Sequence, residues 1–369
     1  MLAGAVVLCV TLFGKKIDDN DDNHSPGSNV TNTPMLTDTL MPTDIPSLTV
    51  TATPTDTSTP TTTPTTTPTV TTIAIDETNF PDDAFRKYVS DHFDTMKDGQ
   101  LSEDEIKAVT KIEIDESGKD ITNLKGVEIF SLLESLCCNN CNLNDLDVRE
   151  NVELTTLNCV NTGLTSLDVS KNTKLKELDC SGNKLEALDV SENVELTTLN
   201  CVNTGLTSLN VSKNTKLEEL NCSENILEAL EVSKNVELTT LSCVNTGLIS
   251  LDVSKNTKLK KLDCSGNKLE TLDVSKNFSL MDLWCFNNKL TALDVSKNTN
   301  LVEFYCYDNK LTTLDVSKNT ALKKLYCHKN NLSALDLGRN IEISDIICDP
   351  GVDVTGAGSN VNIKYYNDP

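Results

Sequence analysis

A repeat solenoid carrying two narrow parallel β-sheets is the fold this sequence predicts, and three observations predict it. Eleven cysteines, from Cys138 through Cys159, Cys180, Cys201, Cys222, Cys243, Cys264, Cys285, Cys306 and Cys327 to Cys348, recur at every twenty-first position without insertion or deletion. Each period repeats one apolar pattern, seen in Leu175, Leu178, Cys180, Leu185, Leu188 and Val190. An asparagine closes each half of the period, as Asn183 and Asn193 do. A fixed period of this length marks stacked supersecondary units, each burying its apolar face only against its neighbours.

The chain before the repeats divides into three parts. Residues 1–17 read as the remnant of an export signal or anchor. The apolar run Leu2 to Phe13 is followed by Lys15 and Lys16, is short for a membrane span and lacks the basic start of a signal peptide. Cys9 opens a lipoprotein reading, against which stands Leu8, a larger residue than such a cleavage site uses. Residues 18–72 are polar, acidic and then saturated with Thr and Pro, so they form no core and read as a disordered, extended stalk.

Residues 73–114 read as a small α-helical unit. Phe85, Val89 and Phe93 recur at helical spacing after Pro81. The following segment, Asp94 to Glu105, resembles a twelve-residue EF-hand loop. The resemblance assigns Asp94 and Asp98 as side-chain ligands, Gly99 as the sharp turn, Gln100 as the carbonyl ligand, Ser102 as the water-mediated ligand and Glu105 as the bidentate one. Met96 stands where the third ligand belongs, and no second EF-hand is present to pair with it. What the resemblance implies is a weak calcium site, with Kd of about 10⁻⁴ to 10⁻³ M. Ser102 and Glu105 would equally cap the exit helix. A helix-loop-helix that only covers the open end of the solenoid accounts for the same residues.

Residues 115–349 are the solenoid and 350–369 a C-terminal cap or tail. Each period consists of two similar halves, since Leu175, Leu178, Cys180 and Asn183 have the offsets of Leu185, Leu188, Val190 and Asn193. Apolar residues flanking one outward residue form a short alternating segment, so each half is expected to supply one strand. The asparagines are expected to satisfy backbone groups that no ladder reaches. Three alternate turns replace Asn with Thr162, Thr204 and Thr246 within a shared Cys-Val-Asn-Thr-Gly-Leu, the mark of a copied double unit two periods long. From about Leu133 to Cys348 the chain resembles the bacterial leucine-rich repeats of the 21-residue nested kind, with Cys where that family usually places Leu.

Composition excludes some partners. A net charge of −23 leaves no clustered cations for phosphate neutralisation, which argues against nucleic acid and against an anionic membrane surface. The cysteine column reads as buried free thiols: equivalent positions of successive turns sit about 4.8 Å apart with parallel Cβ vectors, a poor geometry for disulfides. Cys137 falls on an outward position.

The outward residues beside the column locate a candidate site. Immediately before each Cys, polar residues such as Asn158, Asp179 and Asp263 give way to Trp284, Tyr305 and Tyr326. Immediately after it, Val160, Ser181 and Ser265 give way to Phe286, Tyr307 and His328. A contiguous exposed aromatic patch of this kind marks a binding surface. Ring stacking that only stabilises the sheet is the plainer account. In the second half of each period, Asp147, Asp168, Asp189 and their successors form an acidic column, which Lys171, Lys213, Lys234 and their successors are expected to neutralise.

No nucleophile elbow, phosphate loop or metal-ligand helix accompanies the histidines His24, His92 and His328, so an enzyme is not expected. The expectation is a non-enzymatic recognition protein, cell-surface or secreted, with an N-terminal membrane tether possible. The layout resembles bacterial adhesin-type surface proteins, which implies an extracellular protein partner. A carbohydrate-binding module and a passive spacer are the alternatives.

Overall fold

The computed structural model describes residues 72–114 and 119–366; the expected export segment and all of the expected stalk but Thr72 lie outside the described residues. The N-terminal unit comprises β1 (Ile73–Ala74), α1 (Asp83–His92), β2 (Gln100–Leu101), α2 (Glu103–Ala108) and β3 (Lys111–Glu113). Asp82 caps α1, accepting from Phe85 N at 2.9 Å. Its other carboxylate oxygen accepts from both Thr122 N and Thr122 Oγ1 at 2.9 Å. Phe80 and Phe93 pack on Phe130, so the helical unit and the first turn of the solenoid share one core.

One strand per period then follows: β4 (Ser135–Cys137), β5 (Thr156–Asn158), β6 (Glu177–Asp179), β7 (Thr198–Asn200), β8 (Glu219–Asn221) and β9 (Thr240–Ser242). The series continues through β10 (Lys261–Asp263), β11 (Asp282–Trp284), β12 (Glu303–Tyr305) and β13 (Lys324–Tyr326). After β14 (Ala334–Asp336) come β15 (Asp345–Cys348), β16 (Asp353–Thr355) and β17 (Asn362–Tyr365). Strands β3 to β13, then β15 and β17, form a 13-stranded sheet. Its pairs are parallel and in register with the sequence period, Leu262 opposite Leu283 and Asp263 opposite Trp284. In each repeat strand the central residue is buried, and the cysteine just beyond the strand is buried as well. Leu, Val and Cys side chains from every turn thus merge into one continuous core.

The second expected sheet exists only in part. It is present as the parallel pair β14 and β16 and as an isolated bridge between Asp147 and Asp168. Elsewhere the second half of the period is irregular, with side chains engaging its backbone. Asp168 Oδ1 accepts from Ser170 N at 3.0 Å, and Asp189 and Asp252 do the same with Ser191 and Ser254. Such Asx turns bend the chain directly after the column, and Asp147, Asp168 and Asp336, which do pair, make them too. Among the described residues, lysine acts on this column through nearby charge and not through direct pairs: Lys234, Lys255, Lys276, Lys297 and Lys318 favour the ionised forms of Glu231, Asp252, Asp273, Asp294 and Asp315. The one ion pair within this acidic column is Asp147 with Arg149, among the described residues. The lysine pairs that bridge turns here instead join Lys174 to Glu153, Lys216 to Glu195 and Lys258 to Glu237.

The asparagines act as expected. Asn172 Nδ2 donates to Val148 O at 2.8 Å and to Asn151 O at 2.9 Å, and the pattern repeats at Asn193 through Asn340. In the cysteine half, Asn183 Nδ2 donates to Cys159 O and Cys180 O, while Asn183 Oδ1 accepts from Leu164 N and Thr162 Oγ1. Threonine in the alternate turns is therefore a working partner: its hydroxyl joins the Cys159 carbonyl to the next asparagine.

A candidate ligand-binding surface on the long sheet

Short strands fix what the sheet presents. Inward Leu and Cys alternate with outward residues, so the residues before and after each cysteine stand side by side on one face. On β11 to β13 those residues are rings. Trp284 stacks on Tyr305 with centroids 5.6 Å apart, and Tyr305 on Tyr326 at 4.5 Å, both 9° from parallel. Alongside runs a second stack: Phe286 on Tyr307 at 4.4 Å, Tyr307 on His328 at 4.6 Å and His328 on Tyr366 at 4.5 Å. The structure thus gathers all six aromatic residues singled out in the sequence, but the patch is less open than expected: stacking leaves five of them half-buried and His328 buried. The structure also adds Tyr366, which the repeat could not reveal because β17 follows β15 by less than a full period.

Charged groups edge the rings. Glu303 accepts from Tyr305 OH at 2.9 Å and pairs with Lys324 at 2.8 Å. Burial, reinforced by this carboxylate, pushes the Tyr305 phenol well above its ordinary pKa. Burial likewise raises Tyr307 to about 12 and lowers His328 below the usual imidazole value. Lys261 Nζ lies 4.2 Å over the Trp284 ring, and Lys329 Nζ lies 4.9 Å over that of Tyr366.

The loop from Asp94 to Glu105 closes on its own carboxylates. Asp94 is buried and accepts from Asp98 N at 3.2 Å and Gly99 N at 3.0 Å. Asp98 accepts from Gln100 N, and Gln100 is exposed, its side chain accepting from Thr72 Oγ1. Ser102 forms a reciprocal capping box with Glu105. Glu105 accepts five hydrogen bonds, from Thr95 N, Thr95 Oγ1, Met96 N, Ser102 N and Ser102 Oγ. The Thr95 hydroxyl is the foremost cause holding its carboxyl down to about 2. Among the described residues no three His, Cys, Asp or Glu side chains are gathered as a metal ion requires. Glu105 is fully engaged within the loop, and the Met96 side chain, at the place of the third ligand, is exposed.

Parallel turns of one fixed length, with inward columns of Leu, Cys and Asn, define a leucine-rich-repeat solenoid. The chain has the leucine-rich-repeat fold. A family model of two leucine-rich repeats matches residues 152–193. The functional domain of InlJ from Listeria monocytogenes, described as including a cysteine ladder, is 37% identical with a TM-score of 0.72. That match covers 78% of this chain, which spans 62% of the length of the InlJ structure. An internalin (InlF) from Listeria monocytogenes shares the fold at 18% identity and a TM-score of 0.65, covering 80% of this chain and 98% of that one. A leucine-rich-repeat protein of Leptospira interrogans does so at 17% and 0.51, covering 68% and 79%. No curated protein matches the chain.

Proposed function

We propose that this chain is a non-enzymatic recognition protein of the bacterial cell surface or its surroundings, and that it binds a protein partner through the two ring stacks. The observation that carries this reading is the change along one sheet face, from small polar side chains on β5 to β9 to stacked aromatics on β11 to β13. Aromatic clusters at this density are typical anchors of protein interfaces. The likeness to internalin structures agrees with a role in recognition, and no helix among the described residues is long and apolar enough to cross a membrane.

The ring geometry favours a protein ligand over a sugar. A pyranose stacks on an open ring face, whereas these rings spend their faces on one another. Tyr305, Tyr307 and His328 are each sandwiched between two rings, and the outer faces of Trp284 and Tyr366 lie under lysines. What remains for a partner is ring edges, hydroxyls and one face each of Phe286 and Tyr326, which suit the mixed apolar and polar contacts of a polypeptide. The test is capture of an extracellular protein by the full chain, compared with a variant carrying serine at Trp284, Phe286, Tyr305, Tyr307, Tyr326 and His328. Lost capture with unchanged circular dichroism is expected; undiminished capture would end this reading.

A further inference from the structure

Three turns place an acidic or amide residue before serine in the columns that later turn aromatic: Asp179 with Ser181, Asn221 with Ser223 and Asp263 with Ser265. In each, one side-chain oxygen accepts from both the serine backbone N–H and its hydroxyl. The distances are 3.0 and 2.6 Å at Asp179, 3.2 and 2.8 Å at Asn221, and 3.1 and 2.6 Å at Asp263. The next turn decides what happens to the other oxygen of the two aspartates. Asp179 Oδ2 accepts from Asn200 Nδ2 at 2.9 Å. Asp263 instead faces Trp284, which offers it no hydrogen bond, and no described residue donates to its second oxygen. Asp263 is nevertheless only 6% exposed.

The surroundings of Trp284 share this lack. Trp284 Nε1 is itself buried and without an acceptor among the described residues. Asp282, half-buried on the same strand, has no ion-pair partner among them, and burial next to Glu303 raises its pKa. Lys261 lies over the indole ring and forms no direct ion pair with either aspartate, although its charge favours the ionised form of both, as that of Lys324 does for Asp282. The second Asp263 oxygen is not fully buried, so solvent reaches it, and so can a charged donor brought from outside.

We propose that the Trp284 end of the ring stacks receives a basic side chain, arginine foremost, from the polypeptide partner, with Asp263 and Asp282 as its acceptors. This assignment rests on the reading of the patch as a protein-binding surface and specifies what that surface recognises. A guanidinium offers five donors in a plane, engages carboxylates through two parallel bonds and lies well against aromatic rings, so it suits two carboxylates beside an indole. The chain's net charge of −23 steers a basic partner towards the site.

Trp284 is the sole tryptophan of the chain, so its emission reports on this end of the stack alone. The probes are acetyl-Leu-Arg-Leu-amide and its Lys and Glu counterparts, titrated into the full chain at low salt. A saturable emission change is expected with the Arg peptide, a weaker one with Lys and none with Glu. Asp263→Asn should weaken Arg-peptide binding by about tenfold or more. Asn221 makes the same two serine hydrogen bonds, so that substitution removes the charge and keeps the turn. Equal responses to Arg and Glu, no response to Arg, or undiminished binding by Asp263→Asn would overturn the assignment. Partner capture that requires Trp284 yet ignores both Asp263→Asn and Asp282→Asn would leave the patch reading standing and remove only the basic side chain.

Discussion

Asn193 reaches back one full turn to Asn172, its Nδ2 donating to the Asn172 carbonyl at 2.9 Å, and the same amide donates to Val169 O at 2.9 Å. One side chain therefore adds a second hydrogen bond to each of two buried carbonyls, which also accept from Asn172 N and Leu175 N at 3.0 Å. Asn193→Ala should cost about 1–3 kcal/mol, two hydrogen bonds at about 0.5–1.5 kcal/mol each. Urea denaturation followed by circular dichroism checks this. Thr162→Ala, which breaks bonds to Cys159 O and Asn183 Oδ1, should cost less because Asn183 Oδ1 keeps Leu164 N.

Alkaline pH should unfold the solenoid abruptly. Burial raises the pKa of all eleven column thiols, Cys222 to about 12. With folded-state values above the unfolded one, their contribution is complete below about pH 8.5 and is lost as pH rises, because only the unfolded chain ionises. Each thiol can withdraw up to about 1.4 kcal/mol per pH unit, and the column acts together. The urea midpoint should fall steeply above about pH 8.5, and thiolate absorbance should rise in step with unfolding. Thiolates that appear well before structure is lost would contradict burial of the column.

The acid side should show the opposite sign at the N-terminal cap. Glu105 is held at about 2 in the fold, against about 4.3 unfolded. Its contribution is present above about pH 4.3 and is lost as pH falls towards 2. Hydrogen exchange at the amides of Phe85 and Val89 should therefore quicken across that window, and Glu105→Ala should quicken it already at neutral pH. Millimolar calcium should leave both exchange and calorimetric heat unchanged, because ion binding would have to displace five hydrogen bonds from Glu105.

What the sequence made legible was whatever its period controls. The column of cysteines, the asparagine closures and the six outward rings all follow from counting in steps of one repeat. The second sheet did not follow, because an alternating pattern states which side chains point inward and leaves open whether the backbone pairs. Asp168, which forms a bridge, and Asp189, which does not, make the same contact with the serine two residues on, so the side chains alone do not mark where strands pair. Tyr366 and Asp263 were hidden for a different reason. Tyr366 joins the second stack from an element outside the period, and Asp263, opposite Trp284 one turn away, is buried at a position that the period reads as outward. Pair relationships of that kind exist only once neighbouring turns are placed against each other.

Alkylation of the native chain, read cysteine by cysteine in mass spectra, tests most directly whether the thiols lie inside and their neighbours outside. Among the described cysteines, Cys137 should react with iodoacetamide while Cys138, Cys141 and the column from Cys159 to Cys348 stay unmodified until denaturant is added. Rapid labelling along the column, or disulfides linking successive turns, would contradict the inward assignment, and with it the display of Trp284, Tyr305 and Tyr326 on a common face.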